Sequence, residues 1–262
     1  MTTGEGAPTG REVSSVGELM DILSSVTADG REVWFRGHRD ITWLIRPSVF
    51  RSENHRTRER AMLARFRQEA AAAGLQYSFD EWGWISFAQH HALPTRLLDW
   101  SQSPLVALYF ASEPERDGNP TQAGERDGEF FILHPHDLNA AAGDSSGGYP
   151  RLLADSDKRL KDYLPGKDLE NPSPPRAVVA PMVFDRIRFQ TGTFTLEQTP
   201  PQGATGDALR AATALQSFRV PGAAKRAIRE QLNTLGFNEV SIYRDLDRIA
   251  KRIRDGHGRG TP

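Results

Sequence analysis

The most constraining feature of this sequence is a short segment, 105–111, that is apolar on nearly every side. Ser103 and Pro104 precede it, and a serine N-cap followed by proline in the first turn is a common way for a helix to begin. We therefore predict a helix here. A helix without a polar face should be buried on all sides. A chain of 262 residues is long enough to build the core that this requires.

Apolar residues at helical or strand spacing alternate with turn-forming residues along the rest of the chain. We predict further helices near 14–26, 58–73, 223–235 and 246–253, and strands near 32–36, 130–133, 177–183, 186–196, 215–220 and 239–243. Helices and strands interleaved in this way favour an α+β fold over a purely parallel α/β fold. We expect a single domain with mixed or antiparallel sheets and surrounding helices.

The composition excludes several kinds of partner and chemistry. With 33 basic and 34 acidic residues, the net charge of −1 gives no overall field toward nucleic acid or an anionic membrane. The chain has no cysteine, which rules out disulfides, thiolate nucleophiles and cysteine-ligated metal sites. It also has no apolar run of the roughly 18 residues that a membrane span needs. These features predict a cytoplasmic protein without a membrane partner.

Common catalytic signatures are absent from the sequence. It contains no Gly-x-Gly-x-x-Gly, no P-loop and no Gly-x-Ser-x-Gly, so kinases, P-loop NTPases and α/β-hydrolases lose support. His90 and His91 are adjacent rather than spaced along one helix face, and His134 and His136 stand alone. We therefore predict that the protein does not depend on a metal.

The first candidate for chemistry is Arg36, which ends a predicted strand and is followed by Gly37. A cation is thus presented beside a backbone that a ligand can approach closely. The guanidinium could grip a phosphate or pyrophosphate with two hydrogen bonds. Alternatively, it is a structural arginine paired with an acid.

The second candidate is the polar segment 89–100, which contains Pro94 and precedes the apolar helix. Its adjacent histidines titrate near neutral pH, and Thr95, Arg96 and Asp99 add a hydroxyl, a cation and a carboxylate. Together these groups could supply a base, positioning contacts and anion contacts. The alternative is a polar network that holds a buried turn.

A later segment, 189–195, alternates apolar or aromatic residues with small polar ones. This pattern is typical of an edge strand or of a strand that lines a site. Gln190 could hydrogen-bond a ribose or a base there, or it could be an ordinary surface residue.

These motifs resemble the FRG-domain family. The resemblance rests on 34–37, 89–100 and 104–111, followed by 190–195 and 243–247. It covers about 30–250, so we assign 13–254 to the domain and expect flexible tails at 1–12 and 255–262. The sequence departs from the family at Ala92, where glycine is usual, and at Tyr243-Arg244, where the family tends to have Phe-Pro.

The order of the motifs also resembles that of ADP-ribosyltransferases, in which an arginine grips NAD, a hydroxyl braces the nicotinamide half and a late acidic or amide residue contacts the ribose. The resemblance implies an ADP-ribosyltransferase-like fold with NAD as substrate. If Gln190 is the late residue, Asp99 or Glu197 would supply the negative charge. The implied NAD-binding residues are Arg36, Gly37, Gln89 and Arg96, and the implied catalytic residues are His90, Thr95, Asp99 and Gln190.

The expected function is consumption of NAD, with ADP-ribose transferred to a macromolecule or nicotinamide released. Such an enzyme would act as a bacterial toxin or an anti-phage effector, with a protein or nucleic-acid acceptor and possible control by an antitoxin. Two alternatives stay open. One is a binding module without catalysis, and the other is a metal-independent ribonuclease-like toxin that uses a histidine of the 89–100 segment as base and Arg36 or Arg96 as phosphate ligand.

Overall fold

The computed structural model describes residues 11–75, 77–114, 125–144, 147–167, 172–180, 192–201 and 207–243. Its helices are α1 (Val16–Val26), α2 (Glu53–Ala72), α3 (Glu81–His90), α4 (Pro104–Ser112), α5 (Pro135–Ala141), α6 (Gly222–Thr234) and α7 (Glu239–Tyr243). Its strands are β1 (Trp34–His38), β2 (Leu97–Trp100), β3 (Gly128–Leu133), β4 (Arg151–Leu152), β5 (Arg176–Val179), β6 (Thr193–Leu196) and β7 (Leu215–Val220). Short 3-10 helices also occur at Ser48–Arg51 and Lys161–Tyr163.

The strands form two sheets, and the predicted single-domain α+β arrangement is confirmed. The first sheet has the order β1-β3-β7 and is antiparallel throughout. The second has the order β2-β6-β5-β4 and is mixed, because β4 and β5 are parallel while the other pairs are antiparallel. The sheets meet where Phe35 and Ser101 exchange backbone hydrogen bonds of 2.7 and 2.8 Å. This seam places the end of β2 beside the middle of β1.

Within the described residues the core consists of three apolar clusters. They lie between four layers, which are a layer of helices, the first sheet, the second sheet and a second layer of helices. Because neighbouring side chains of a strand point to opposite faces, each sheet contributes to two clusters. The outer face of the first sheet packs against α1, α4 and α6, and that of the second sheet packs against α2 and α3. The inner faces pack on each other through Trp34 and Phe131 of the first sheet and Leu98 and Trp100 of the second.

The helix α4 begins and packs as its sequence predicts. The hydroxyl of Ser103 accepts a hydrogen bond from the backbone N–H of Val106 at 3.4 Å, which makes it the N-cap. The helix lies directly on the first sheet because Gly37 and Gly128 have no side chains there. A Cβ at Gly37 would come within 1.9 Å of the carbonyl oxygen of Ala107, so the helix could not approach this closely over any other residue.

Several elements differ from the prediction. The segment 239–243 is a helix rather than a strand, because Asn238 caps it: its side-chain oxygen accepts from the N–H groups of Val240 at 3.1 Å and Ser241 at 3.3 Å. The aromatic run before Gln89 is helical, and so is 135–141, for neither of which did we predict a helix. The predicted helix at 246–253, both tails, and the predicted strand segments 181–183 and 186–191 lie outside the described residues.

Candidate functional site

Polar side chains from β1, β2 and α3 converge at the seam between the two sheets. A terminal nitrogen of Arg36 donates a hydrogen bond to the backbone carbonyl of Asp99 at 2.5 Å. The same guanidinium donates from Nε to the imidazole Nε2 of His38 at 3.0 Å. Within the described residues Arg36 forms no ion pair, and its second terminal nitrogen makes no hydrogen bond. Among the described residues Arg36 is therefore held by a carbonyl and an imidazole, while the carboxyl group of Asp99 attracts it without forming an ion pair.

A chain of hydrogen bonds orients the carboxyl group of Asp99. The backbone N–H of Leu97 donates to Thr95 Oγ1 at 3.2 Å, so this hydroxyl donates onward to Gln89 Oε1 at 2.5 Å. With its oxygen used in this way, the Gln89 amide presents its NH₂ group to Asp99 Oδ2 at 2.6 Å. The hydrogen bonds from Thr95 to Gln89 and from Gln89 to Asp99 thus hold the carboxyl group through one oxygen. Its other oxygen, Oδ1, makes no hydrogen bond to another described residue.

From desolvation and solvent exposure together, we infer that Arg36 and Asp99 line a depression of the surface. Burial lowers the pKa of Arg36 to about 10, against the opposing effect of Asp99, so the guanidinium keeps its charge at neutral pH. Burial likewise raises the pKa of Asp99, while Arg36 and the hydrogen bond from Gln89 act to lower it. Nevertheless, the Asp99 side chain is exposed and that of Arg36 is only half-buried. Strong desolvation combined with solvent access indicates a concave surface.

His38, which the sequence analysis did not single out, belongs to this site. Its ring is 3% exposed and lies edge-on to Phe131, with 5.1 Å between the ring centroids. Burial and then the positive charges of Arg36, Arg51 and Arg210 hold its pKa well below the usual value, so the ring is neutral. The sequence does contain a signal for His38: residues two apart on a strand share a face, so the strand predicted at Arg36 would place His38 beside it.

Arg51 is a second cation near enough to act on the pKa values of Arg36, His38 and Asp99, and the sequence analysis also missed it. Its Nε and one terminal nitrogen donate to the backbone carbonyl of Arg46 at 3.2 and 3.0 Å, which holds the side chain in place. Burial lowers the pKa of Arg51, and Asp99 and Asp207 act in the opposite direction. Two guanidinium groups, those of Arg36 and Arg51, therefore act to lower the pKa of Asp99.

The structure brings together four of the predicted site residues: Arg36, Gln89, Thr95 and Asp99. His90 ends α3, and its ring packs edge to face on that of His91 with 5.1 Å between the centroids. This contact does not connect His90 to the hydrogen bonds around Asp99. Gln190 lies outside the described residues, so its role stays a prediction.

Two residues predicted to bind NAD have structural tasks instead. Arg96 is 1% exposed, and its guanidinium is occupied by both carboxylate oxygens of Glu59, one of them at 3.0 Å, and by the carbonyl of Tyr163. No donor of Arg96 faces the depression, because Arg96 is enclosed in the core near α2. The side of Gly37 on which a side chain would project faces α4, so its small size serves packing rather than ligand approach.

Glu197, the predicted alternative to Asp99, is a poor source of negative charge. Its carboxyl group is 8% exposed and makes no hydrogen bond to a described residue. Burial, together with the nearby carboxyl group of Asp207, raises its pKa to about 8, although Arg46 acts to lower it. At neutral pH this group is therefore mainly protonated, so of the two predicted sources of negative charge it is Asp99 that lies in the network.

Replacing Glu197 by glutamine is expected to change how stability depends on pH. The pKa of Glu197 is about 8 in the folded chain and near the ordinary 4.5 in the unfolded chain. Between these values the folded state holds a proton that the unfolded state has released, so the free energy of unfolding falls as pH rises. Glu197→Gln should remove this contribution to the pH dependence of the free energy of unfolding. Above about pH 8 the variant should therefore be more stable than the parent.

Urea denaturation at a series of pH values measures this effect. Glu230→Gln, at a carboxylate exposed on α6, serves as the matched control and should leave the pH dependence unchanged. If the urea concentration at the midpoint of unfolding depended on pH in the same way in Glu197→Gln and in the parent, Glu197 would have to be ionised in the folded protein.

A separate cavity of about 640 Å³ lies between α1, β7 and the chain before α1. Polar groups of Arg11, Arg31, His134 and Gln216 line it. None of these residues takes part in the network around Asp99, so the cavity is a different feature of the surface. In the part of the chain that the structure describes, no three His, Cys, Asp or Glu side chains are grouped as metal ligands. No helix there is long and apolar enough to cross a bilayer.

Comparison with known families identifies the segment that carries most of this site. Residues 31–119 match the family model described as FRG domain. No curated protein and no solved structure matched the chain. The predicted extent of the domain, 13–254, exceeds the matched segment at both ends and stays a prediction. The matched segment contains Arg36, His38, Gln89, Thr95 and Asp99. We conclude that residues 31–119 of this chain belong to the FRG-domain family.

Proposed function

We propose that the depression at the seam binds NAD and that the protein cleaves the bond between nicotinamide and ribose. One observation carries the proposal: the charged Arg36, which forms no ion pair within the described residues, contacts the backbone of Asp99, whose oriented carboxyl group is exposed to solvent. The family match names a motif and not an activity, so the proposal rests on the chemistry of the site.

Arg36 is suited to hold the pyrophosphate of NAD. Two of its nitrogens are used by the protein, at the carbonyl of Asp99 and at His38, which leaves one terminal nitrogen for a ligand. Arg51 adds a second positive charge near the same carboxyl group. Guanidinium groups bind phosphate oxygens in planar, directional contacts, and two of them match the two negative charges of a pyrophosphate.

Asp99 would act on the reacting carbon. As the glycosidic bond breaks, its electron pair goes to the nicotinamide nitrogen, and the ribose becomes an oxocarbenium-like cation. A carboxylate placed in advance stabilises this positive charge without reorganising. Water or a nucleophile of the acceptor then bonds to the ribose carbon, and its proton passes to the Asp99 carboxylate. Thr95 and Gln89 hold that carboxylate in position.

The biological setting is part of the same proposal. The acceptor of ADP-ribose would be a protein or a nucleic acid, with water as acceptor giving simple NAD hydrolysis. An NAD-consuming enzyme would serve as a toxin or an anti-phage effector in the cytoplasm, restrained by an antitoxin. The ribonuclease alternative loses a phosphate ligand, because Arg96 is enclosed by Glu59 and Tyr163.

Asp99→Asn is the variant that tests the proposal most directly. The asparagine can still accept from Gln89 but carries no charge, so we expect kcat for nicotinamide release to fall by about 100-fold or more. Purified protein is incubated with NAD, with and without cell lysate, and nicotinamide is quantified by chromatography. Glu230→Gln is the charge-matched control and should keep the activity of the parent.

Each result decides the question. Loss of activity in Asp99→Asn with retention in Glu230→Gln supports the proposal. NAD binding by calorimetry without any turnover in either condition would make the protein a binding module. Turnover that is equal in Asp99→Asn and the parent would remove Asp99 from the mechanism.

A further inference from the structure

We infer that His38 is a positioning residue, which aims the guanidinium of Arg36 at the ligand by accepting a hydrogen bond from its Nε. The inference rests on the proposed function for the identity of the ligand, although the contact itself is independent of it. The Nε of an arginine can only donate. The imidazole Nε2 that lies 3.0 Å away must therefore present a lone pair.

The surroundings of His38 keep it in the form that this task requires. The ring is neutral because it is buried and faces the positive groups of Arg36, Arg51 and Arg210, and the backbone of Trp43 acts more weakly in the opposite direction. In a neutral ring with Nε2 as acceptor, the proton lies on Nδ1. That Nδ1 is buried and has no hydrogen-bond partner among the described residues.

The contact determines where the free end of Arg36 points. A guanidinium is planar, so two hydrogen bonds to different atoms fix both its position and its rotation. Here one bond runs to His38 and the other to the carbonyl of Asp99, on the neighbouring sheet. The direction of the remaining terminal nitrogen is thereby fixed as well. A lysine in place of Arg36 could not be oriented in this way, because an ammonium group has no such plane.

The test compares three replacements of His38 that differ in where they place an acceptor. In glutamine, the side-chain oxygen can reach the position of Nε2. In asparagine, the oxygen reaches only the position of Nδ1, and leucine has no acceptor. If positioning matters, His38→Gln keeps the KM for NAD within about threefold of the parent, whereas His38→Asn and His38→Leu raise it about 10-fold or more, with a smaller change in kcat.

A second measurement follows Arg36 directly and does not require turnover. The side-chain Nε–H signal of Arg36, assigned by its disappearance in Arg36→Lys, is recorded by NMR in the parent and in each His38 variant. We expect slow exchange with solvent in the parent and in His38→Gln, and fast exchange in His38→Asn. The melting temperatures of His38→Gln and His38→Asn are compared as a control, because both side chains are polar and similar in size. Equal melting temperatures exclude a general loss of folding as the cause of any difference between the two variants.

The two measurements separate the inference from the proposed function. An Nε–H signal that is equally protected in His38→Asn and the parent overturns the positioning role. So does a KM that rises equally in His38→Gln and His38→Asn. If the signal behaves as expected while the parent neither binds nor consumes NAD, the role of His38 toward Arg36 stands and the assignment of NAD as ligand is wrong.

Discussion

Glu59→Gln is expected to lower the free energy of unfolding by about 3–5 kcal/mol. Glu59 and Arg96 form a bidentate ion pair in which both side chains are nearly inaccessible to solvent, at 3% and 1% exposure. Removing only the negative partner leaves a guanidinium in the core with the carbonyl of Tyr163 and a neutral amide. The protein must then carry an uncompensated charge in a core of low dielectric constant, which destabilises it more than replacing both charges would.

Urea denaturation of the parent and the variant measures this loss. Glu69→Gln removes one partner of an exposed ion pair on the same helix, with Arg65, and should cost less than about 1 kcal/mol. A double variant, Glu59→Leu with Arg96→Met, replaces both charges by apolar groups and should recover much of the stability. If Glu59→Gln lost no more than Glu69→Gln, the pair would have to be accessible to water.

Gly37→Ala is expected to destabilise the fold by about 3 kcal/mol or more, at or beyond the upper end for overpacked cores. The added methyl carbon would lie 1.9 Å from the carbonyl oxygen of Ala107 and 2.5 Å from the backbone nitrogen of Ala111. Both contacts are with backbone atoms of a helix, so no side chain can rotate away. Either α4 must move from the first sheet or β1 must distort, and the outer cluster of apolar side chains would lose contact in both cases.

The matched control for this variant is Gly17→Ala in α1. There the nearest atom to an added Cβ is the hydroxyl oxygen of Ser15 at 3.7 Å, which is an ordinary contact. Since alanine favours a helix over glycine by about 1 kcal/mol, Gly17→Ala should raise the melting temperature while Gly37→Ala lowers it. A Gly37→Ala protein that melts with the parent would contradict the close packing of α4 on β1.

The local elements with strong start signals could be predicted from sequence. Ser103 and Pro104 indicated the start of α4, and the structure has it there. The segment 239–243 was assigned wrongly because its apolar alternation was weighed without the capping side chain of Asn238. Which strands pair was not predictable, because β1 pairs with a strand about 95 residues later in the sequence, and strand period alone carries no information about pairing partners.

The site was predicted in part for a related reason. Residue type and proximity in sequence indicated Thr95, Arg96 and Asp99 equally, yet successive residues of an extended chain point to opposite sides. Asp99 contacts Gln89 on α3, whereas Arg96 is directed into the core at Glu59. Only the contribution of α2, 37 positions away, distinguishes the two, and no local pattern contains it. His38 could have been found from the strand period.

The seam between the sheets gives the site a mechanical property. Arg36 belongs to one sheet and Asp99 to the other, and among the described residues their strands are joined by the backbone bridge between Phe35 and Ser101 and by the hydrogen bond from Arg36 to the carbonyl of Asp99. A small shear of one sheet against the other would alter the separation of the guanidinium and the carboxyl group while leaving both sheets intact. The distance between these two groups therefore depends on how the two sheets pack together, and a macromolecule bound to both sheets would change it without contacting either side chain.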